Sequence, residues 1–314
     1  MKKLTPGFFY FAATVAALTF GGCSAKSTSP PVPTSPPLTH MYLSLDVTAG
    51  SVQIYNTPVT AASVPTGTIT PIADPAELFV DKTGRLFVPN GGGNSTVKVY
   101  TSPITGASTP AFTLTTLHTD PEDTTEDASG NVYVGVLNSN MCCIDIFPGP
   151  VNASASAGSE ITANAVAPNG LGYPFGMGFD TSGNMYVSST TSTIKYTPPI
   201  SSASVPAANV LPNQDNYGLV LDASNNVYVA NATTDGTIDV FTQPFQNGSA
   251  RAFGLLVIPT ATGYVEGMAL DGSGNLWAVD DIGGVWEFTA PITSASVPTK
   301  ILTVVNAYGI AFGP

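Results

Sequence analysis

The chain has 314 residues, with nine Lys and Arg against twenty-one Asp and Glu, for a formal net charge of −12. An acidic excess without any basic cluster argues against nucleic acid and anionic lipid surfaces as partners. Spread along it are 27 prolines and 31 glycines, which leave no window of about a dozen residues with an unbroken helical period and so exclude a helical fold.

Lys2 and Lys3 precede an apolar run from Phe8 to Phe20, and Gly21, Gly22 and Cys23 follow. A basic start, a short apolar stretch and small residues before a cut describe a signal peptide over 1–22, too short for a membrane span. The Gly-Gly-Cys sequence resembles a bacterial lipobox, in which the cysteine is acylated and becomes the mature N-terminus. Phe20 occupies the place where that motif usually has an aliphatic residue. The resemblance implies lipidation at Cys23; the other reading is an ordinary signal peptide cut nearby. Residues 24–38 hold five prolines among small polar residues and read as an extended spacer of roughly 45 Å. Residues 23–38 are thus expected to be a lipidated tether, and 39–314 a folded, monomeric head. The expected location is the cell envelope, with membrane contact only through the anchor. Cys142 and Cys143 form an adjacent pair without metal-type spacing around it; a vicinal disulfide, pairing between molecules and free thiols all stay open.

Within the head one octet recurs five times: DKTGRLFV from Asp81, DASGNVYV from Asp127, DTSGNMYV from Asp180, DASNNVYV from Asp222 and DGSGNLWA from Asp271. Starts 46, 53, 42 and 49 residues apart match the interval of propeller blades. A proline motif recurs six times, at Pro58, Pro103, Pro148, Pro199, Pro244 and Pro291, between short β-branched runs. Each repeat reads as four strands: A ends at the Asp, a tight turn follows, B carries the Val-Tyr-Val triplet, C runs to the proline motif and D closes the blade. The sixth strand A is then Tyr308–Phe312 and its strand B Met41–Leu43, so the two ends of the chain share a blade. The prediction is an all-β, six-bladed β-propeller of four-stranded antiparallel blades.

This pattern resembles the six-bladed propellers of the NHL-repeat, TolB-like group, which includes the streptogramin lyase and SMP-30/gluconolactonase relatives. The resemblance covers 39–314 and implies a ligand site at one mouth of the central channel. The mouth would be built by strand A starts, D-to-A loops and B-to-C loops. The turn Asp would lie on the opposite face as an Asx-type hydrogen-bonding residue rather than a calcium ligand.

Counting back from the turn Asp exposes an aberrant repeat. One residue before it stand Val80, Phe179, Leu221, Leu270 and Phe312, but also Glu126. Four before, Gly176, Gly218, Gly267 and Gly309 contrast with Glu77 and Asp123; five before, Glu122 and Glu266 interrupt Phe175, Tyr217 and Tyr308. A carboxylate in an apolar slot is costly, so Glu126 must be paired, metal-bound, hydrated or protonated. Glu77, Glu122, Asp123 and Asp280, with His118 and Asp281 nearby, are candidates to hold a divalent cation (Ca, Mg or Mn) through oxygen ligands; the other reading is a solvated acidic rim. Phe175, Tyr217, Tyr308, Asn231 and Glu266 are the candidate ligand-binding residues; the other reading of the aromatic column, and the commoner role of such columns, is packing between blades.

Two functions compete. One is a non-catalytic binding or scaffold lipoprotein whose partner is a protein or a small polar ligand. The other, implied by the resemblance, is a metal-dependent hydrolase or lyase; its lyase form needs a catalytic histidine, and His118 is the sole candidate.

Overall fold

The computed structural model describes residues 37–47, 49–137, 143–162, 171–210, 215–232, 236–257 and 263–314. The expected leader, Cys23, most of the expected tether and Cys142 therefore lie outside the described residues. Twenty-four strands form six four-stranded antiparallel sheets, and no α-helix occurs among the described residues.

Blade I combines β24 (Ala307–Gly313) with β1 (His40–Leu45), β2 (Gly50–Asn56) and β3 (Gly67–Ile72). Blade II is β4 (Phe79–Val80), β5 (Leu86–Asn90), β6 (Thr96–Tyr100) and β7 (Phe112–Thr115); blade III is β8 (Pro121–Glu126), β9 (Val132–Val136), β10 (Ile144–Phe147) and β11 (Ser159–Ile161). Blade IV is β12 (Pro174–Phe179), β13 (Met185–Ser189), β14 (Thr193–Tyr196) and β15 (Ala208–Val210). Blade V is β16 (Asn216–Leu221), β17 (Val227–Asn231), β18 (Thr237–Phe241) and β19 (Phe253–Leu256); blade VI is β20 (Val265–Leu270), β21 (Leu276–Asp280), β22 (Gly284–Phe288) and β23 (Thr299–Thr303). The expected pairing of the chain ends is present, with Met41 opposite Phe312 and Leu43 opposite Ile310.

Apolar residues alternate along these strands so that both faces of each blade are buried. Six hydrophobic clusters result, one at each boundary between neighbouring blades. At the boundary of blades II and III, for example, Phe87 and Val99 pack with Val134 and Phe147. Burying each such side chain contributes about 1.5–3 kcal/mol.

The recurring octet proves to be a hydrogen-bonded turn. Asp127 Oδ1 accepts from the Ser129 and Asn131 amides at 2.8 and 3.0 Å; its Oδ2 accepts from Asn131 Nδ2 at 2.7 Å and the Tyr133 hydroxyl at 3.1 Å. Asp180 and Asp222 repeat the arrangement, and at Asp271 the Trp277 indole takes the tyrosine's place. Every oxygen is committed to protein donors, so the Asx reading holds. The proline motif needs one correction. Its bonds are cis at Pro58, Pro103, Pro199, Pro244 and Pro291, but in blade III the cis bond precedes Pro150, not Pro148.

Candidate functional site at the channel mouth

Strands A of the six blades line the channel, and their glycines let neighbouring strands approach closely. A Cβ on Gly309 would lie 2.5 Å from the Ala76 carbonyl oxygen and 2.6 Å from Glu77 Cα; one on Gly218 would lie 2.5 Å from the Glu266 carbonyl oxygen. The two acids of this glycine level, Glu77 and Asp123, turn into the space left. Glu77 Oε1 accepts from the Met268 amide at 3.3 Å, reaching past blade I to blade VI. Asp123 accepts from the Thr124 amide at 2.6 Å and the Met177 amide at 2.5 Å. Burial, and then the neighbouring Asp123, push the Glu77 carboxyl well above its usual range. Burial likewise raises Asp123 to about 8. Both line one end of a channel cavity of about 360 Å³ whose remaining walls are largely apolar.

One residue outward, Glu122, Phe175, Tyr217, Glu266 and Tyr308 share a level, with only Ala76 from blade II. That small residue leaves room for the Tyr308 hydroxyl to donate to Glu122 Oε2 at 3.1 Å. Phe175 and Tyr217 stack with ring centroids 4.5 Å apart. A second cavity, of about 450 Å³, opens beside Glu122 and is lined by Asp46, Asp74 and Asp120 from the loops. Asp74 and Asp120, each seven residues before the turn Asp of its blade, have positive φ of 37° and 55°. Backbone in this region is unfavourable for residues other than glycine and is commonest where function over-determines the structure.

The mouth is electrostatically unbalanced. Burial, opposed by the Tyr308 hydrogen bond, carries Glu122 to about 8; burial with Asp281 and Asp46 carries Glu266 to about 8. Glu266 Oε2 is buried without a hydrogen-bond partner. Among the described residues no Lys or Arg forms a salt bridge to Asp46, Asp74, Asp120, Glu122, Glu266 or Asp281.

The remaining candidates lie elsewhere. Glu77 and Asp123 sit one level below the expected rim. Asp280 is fully buried and uses its oxygens within its own hairpin, accepting from the Gly284 amide and the Trp286 indole, both at 2.6 Å. Asn231 donates to Asp239 at 3.2 Å. His118 does not join the mouth acids: Nδ1 faces Asp145 Oδ1 at 3.2 Å and Nε2 faces Glu160 Oε2 at 3.3 Å. Glu126 is paired, with Lys82 at 3.6 Å and Arg85 at 3.4 Å from blade II. Sequence reasoning missed Asp46, Asp74 and Asp120. The shared position of Asp74 and Asp120 before the turn Asp was the available signal. It also missed a grouping of His118, Cys143 and Glu160, whose ligand atoms lie within 4.8 Å of one another.

No protein-family model and no curated protein matches this sequence. Solved structures do. A periplasmic gluconolactonase from Pseudomonas aeruginosa aligns with TM-score 0.62 at 14% identity over 88% of this chain and 99% of its own. A putative 6-phosphogluconolactonase from Bacteroides uniformis aligns at 0.60 and 12%, over 83% and 82%. The virginiamycin B lyase of Staphylococcus aureus, in its inactive form with quinupristin, aligns at 0.51 and 15%, over 72% and 70%. With these likenesses and six four-stranded antiparallel sheets, the chain is a six-bladed β-propeller, similar in fold to the gluconolactonase and virginiamycin B lyase structures.

Proposed function

We propose that the protein is an exported, lipid-anchored binding propeller that captures a small polar ligand or a protein loop at the channel mouth, with a divalent cation as bridge. The observation that carries this reading is the orphaned, buried Glu266 Oε2, with Asp281 and Asp46 as its charged neighbours and no described Lys or Arg in a salt bridge to any of the three. Asp46, Asp120 and Glu122 line one cavity and carry the hard oxygen atoms that calcium, magnesium or manganese takes; no three of the described mouth carboxyls yet bring an oxygen each within 4.8 Å of one another, so a cation bound there has to draw them together. The Phe175–Tyr217 stack beside them offers a flat apolar surface for a ring. Isothermal titration with Ca²⁺, Mg²⁺ and Mn²⁺ tests the proposal. At least one should give saturable heat that Glu122→Gln and Glu266→Gln each weaken tenfold or more; no heat, or heat unchanged in both, removes the cation bridge.

The gluconolactonase neighbour supports a second reading, lactone hydrolysis at the same mouth, for which the sequence resemblance implies a metal. Turnover of a lactone panel that chelator abolishes would favour it over pure binding. A lyase using His118 finds less support, because both ring nitrogens already face carboxylates outside the mouth.

A further inference from the structure

The D-to-A loop that enters blade III carries His118 over the outer part of that same blade, onto β10 and β11. There three separate stretches of chain meet. His118 comes from the loop, Cys143 from the edge of β10, and Glu160 from β11. The imidazole is held on one side by Asp145, a fully buried carboxylate whose Oδ1 faces Nδ1 at 3.2 Å and whose Oδ2 accepts from the Leu117 amide at 2.6 Å. A histidine fixed through one nitrogen by a carboxylate presents the other, oriented, as a ligand atom. Here that atom is Nε2. It points at Glu160 Oε2, 3.3 Å away, and this buried oxygen makes no hydrogen bond.

Cys143 completes the grouping, since all three ligand atoms lie within 4.8 Å of one another. A tetrahedral zinc with ligands at about 2.0–2.3 Å needs them roughly 3.3–3.8 Å apart, so only a small closure separates the grouping from a metal site. Cys143 is nevertheless disulfide-bonded, to a partner outside the described residues. A disulfide sulfur is no metal ligand; a thiolate is.

We propose that His118, Cys143 and Glu160 form a zinc site that is switched on by reduction, with Asp145 as its positioning residue. A dithiol reductant delivers two electrons and two protons to the Cys143 disulfide, giving two protein thiols and the oxidised dithiol. Zn²⁺ then displaces the Cys143 thiol proton to solvent and takes one sulfur, one nitrogen and one oxygen ligand, with a water in the fourth place. The mixed donor set selects zinc or cobalt over calcium and magnesium. His118 and Glu160 keep side-chain exposures of 21% and 31%, so an ion can enter from solvent although Cys143 itself is buried. Because the ion binds only the reduced form, it raises the midpoint potential of the disulfide by about 30 mV for each tenfold excess of free zinc over its dissociation constant.

Cobalt reports on this site directly. The purified full chain is titrated with Co²⁺ as isolated, and again after anaerobic reduction with a dithiol that is then removed. The oxidised chain should show no thiolate-to-cobalt charge-transfer absorption; the reduced chain should show it at one equivalent and lose it to Zn²⁺. The Cys23→Ser/Cys142→Ser chain, which leaves Cys143 as its sole cysteine, should show the band without any reductant. His118→Ala and Glu160→Gln should each weaken Co²⁺ binding at least tenfold, and Asp145→Asn about 10–100-fold with the band retained. Near-UV circular dichroism checks that each variant is folded. Absence of the band from both the reduced chain and the double-serine chain overturns the proposal, as does unaltered affinity in both His118→Ala and Glu160→Gln.

Discussion

Arg85 and Glu126 meet across the boundary between blades II and III, guanidinium to carboxylate at 3.4 Å. Both depart from their columns. Arg85 replaces the turn asparagine of Asn131, Asn184, Asn226 and Asn275, and Glu126 replaces an apolar residue. Arg85 also donates to its own turn Asp81 at 2.5 Å and to the Val151 carbonyl at 3.0 Å, tying the turn of blade II to blade III.

This pair predicts a compensating double substitution. Arg85→Asn alone leaves the nearly buried Glu126 with only the exposed Lys82 and should cost about 1–3 kcal/mol. Glu126→Leu, which restores the apolar residue of the sibling blades, should recover most of that loss when combined with Arg85→Asn. Urea unfolding of the four chains measures the coupling; additive effects would refute it.

The channel carboxyls predict a pH dependence of unusual sign. Glu122, Asp123 and Glu266 are raised to about 8, so between their unfolded values near 4 and pH 8 the folded chain binds more protons than the unfolded chain. Stability is then greatest at the acidic end of that window and is lost as pH rises through about 8. Melting temperatures in chelator should fall between pH 5 and 8.5, and Asp123→Asn should flatten the slope. A rise across the same range would contradict the burial of these groups.

The glycine column predicts intolerance to a single methyl group. Gly309→Ala would set a Cβ 2.5 Å from the Ala76 carbonyl oxygen and 2.6 Å from Glu77 Cα, both backbone atoms that cannot swing aside. Overpacking of this kind costs about 1–3 kcal/mol or more. Gly93→Ala, in a loop with nothing near its Cβ, pays only for its positive φ of 80° and serves as the exposed comparison. Equal melting temperatures for the two variants would argue against close approach of β24 to the Ala76–Leu78 segment before β4.

The proposed lipid anchor makes a prediction of its own. Cys23→Ser should move the protein from the detergent phase to the aqueous phase on Triton X-114 partitioning. Unchanged partitioning of this variant would sink lipidation at that residue.

Much of the architecture was legible because the turn chemistry is local. An Asp, a Gly or Asn with positive φ and, in three blades, a Tyr six residues on close one hydrogen-bonded unit; its five copies mark five blades, and the sixth proline motif marks the blade shared by the chain ends. The charge of Glu126 was equally visible as an anomaly. Its solution stood in the neighbouring octet as Lys82 and Arg85, but only the fold brings consecutive turns together. The depth of Glu77 and Asp123 was hidden for another reason. Strands A begin with irregular register, between Pro121 and Asp123 in blade III and between Val265 and Met268 in blade VI. Such bulges re-aim side chains, so simple alternation misjudges which of two neighbours faces the channel. The grouping of His118, Cys143 and Glu160 left no trace in sequence spacing because it depends on a loop folding over a blade.

The shared blade has a consequence for biogenesis. The Tyr42 hydroxyl donates to the Pro314 carbonyl at 2.8 Å, 272 residues away along the chain. Contacts so distant in sequence cannot form while the polypeptide is still emerging, and topologies dominated by them assemble slowly. Until the final segment arrives, β1 and β4 lack a neighbour that only that segment provides, and their bare flanks can seek partners in other molecules. The inner edge of β1 therefore stays open until the seven-residue strand β24 docks against it.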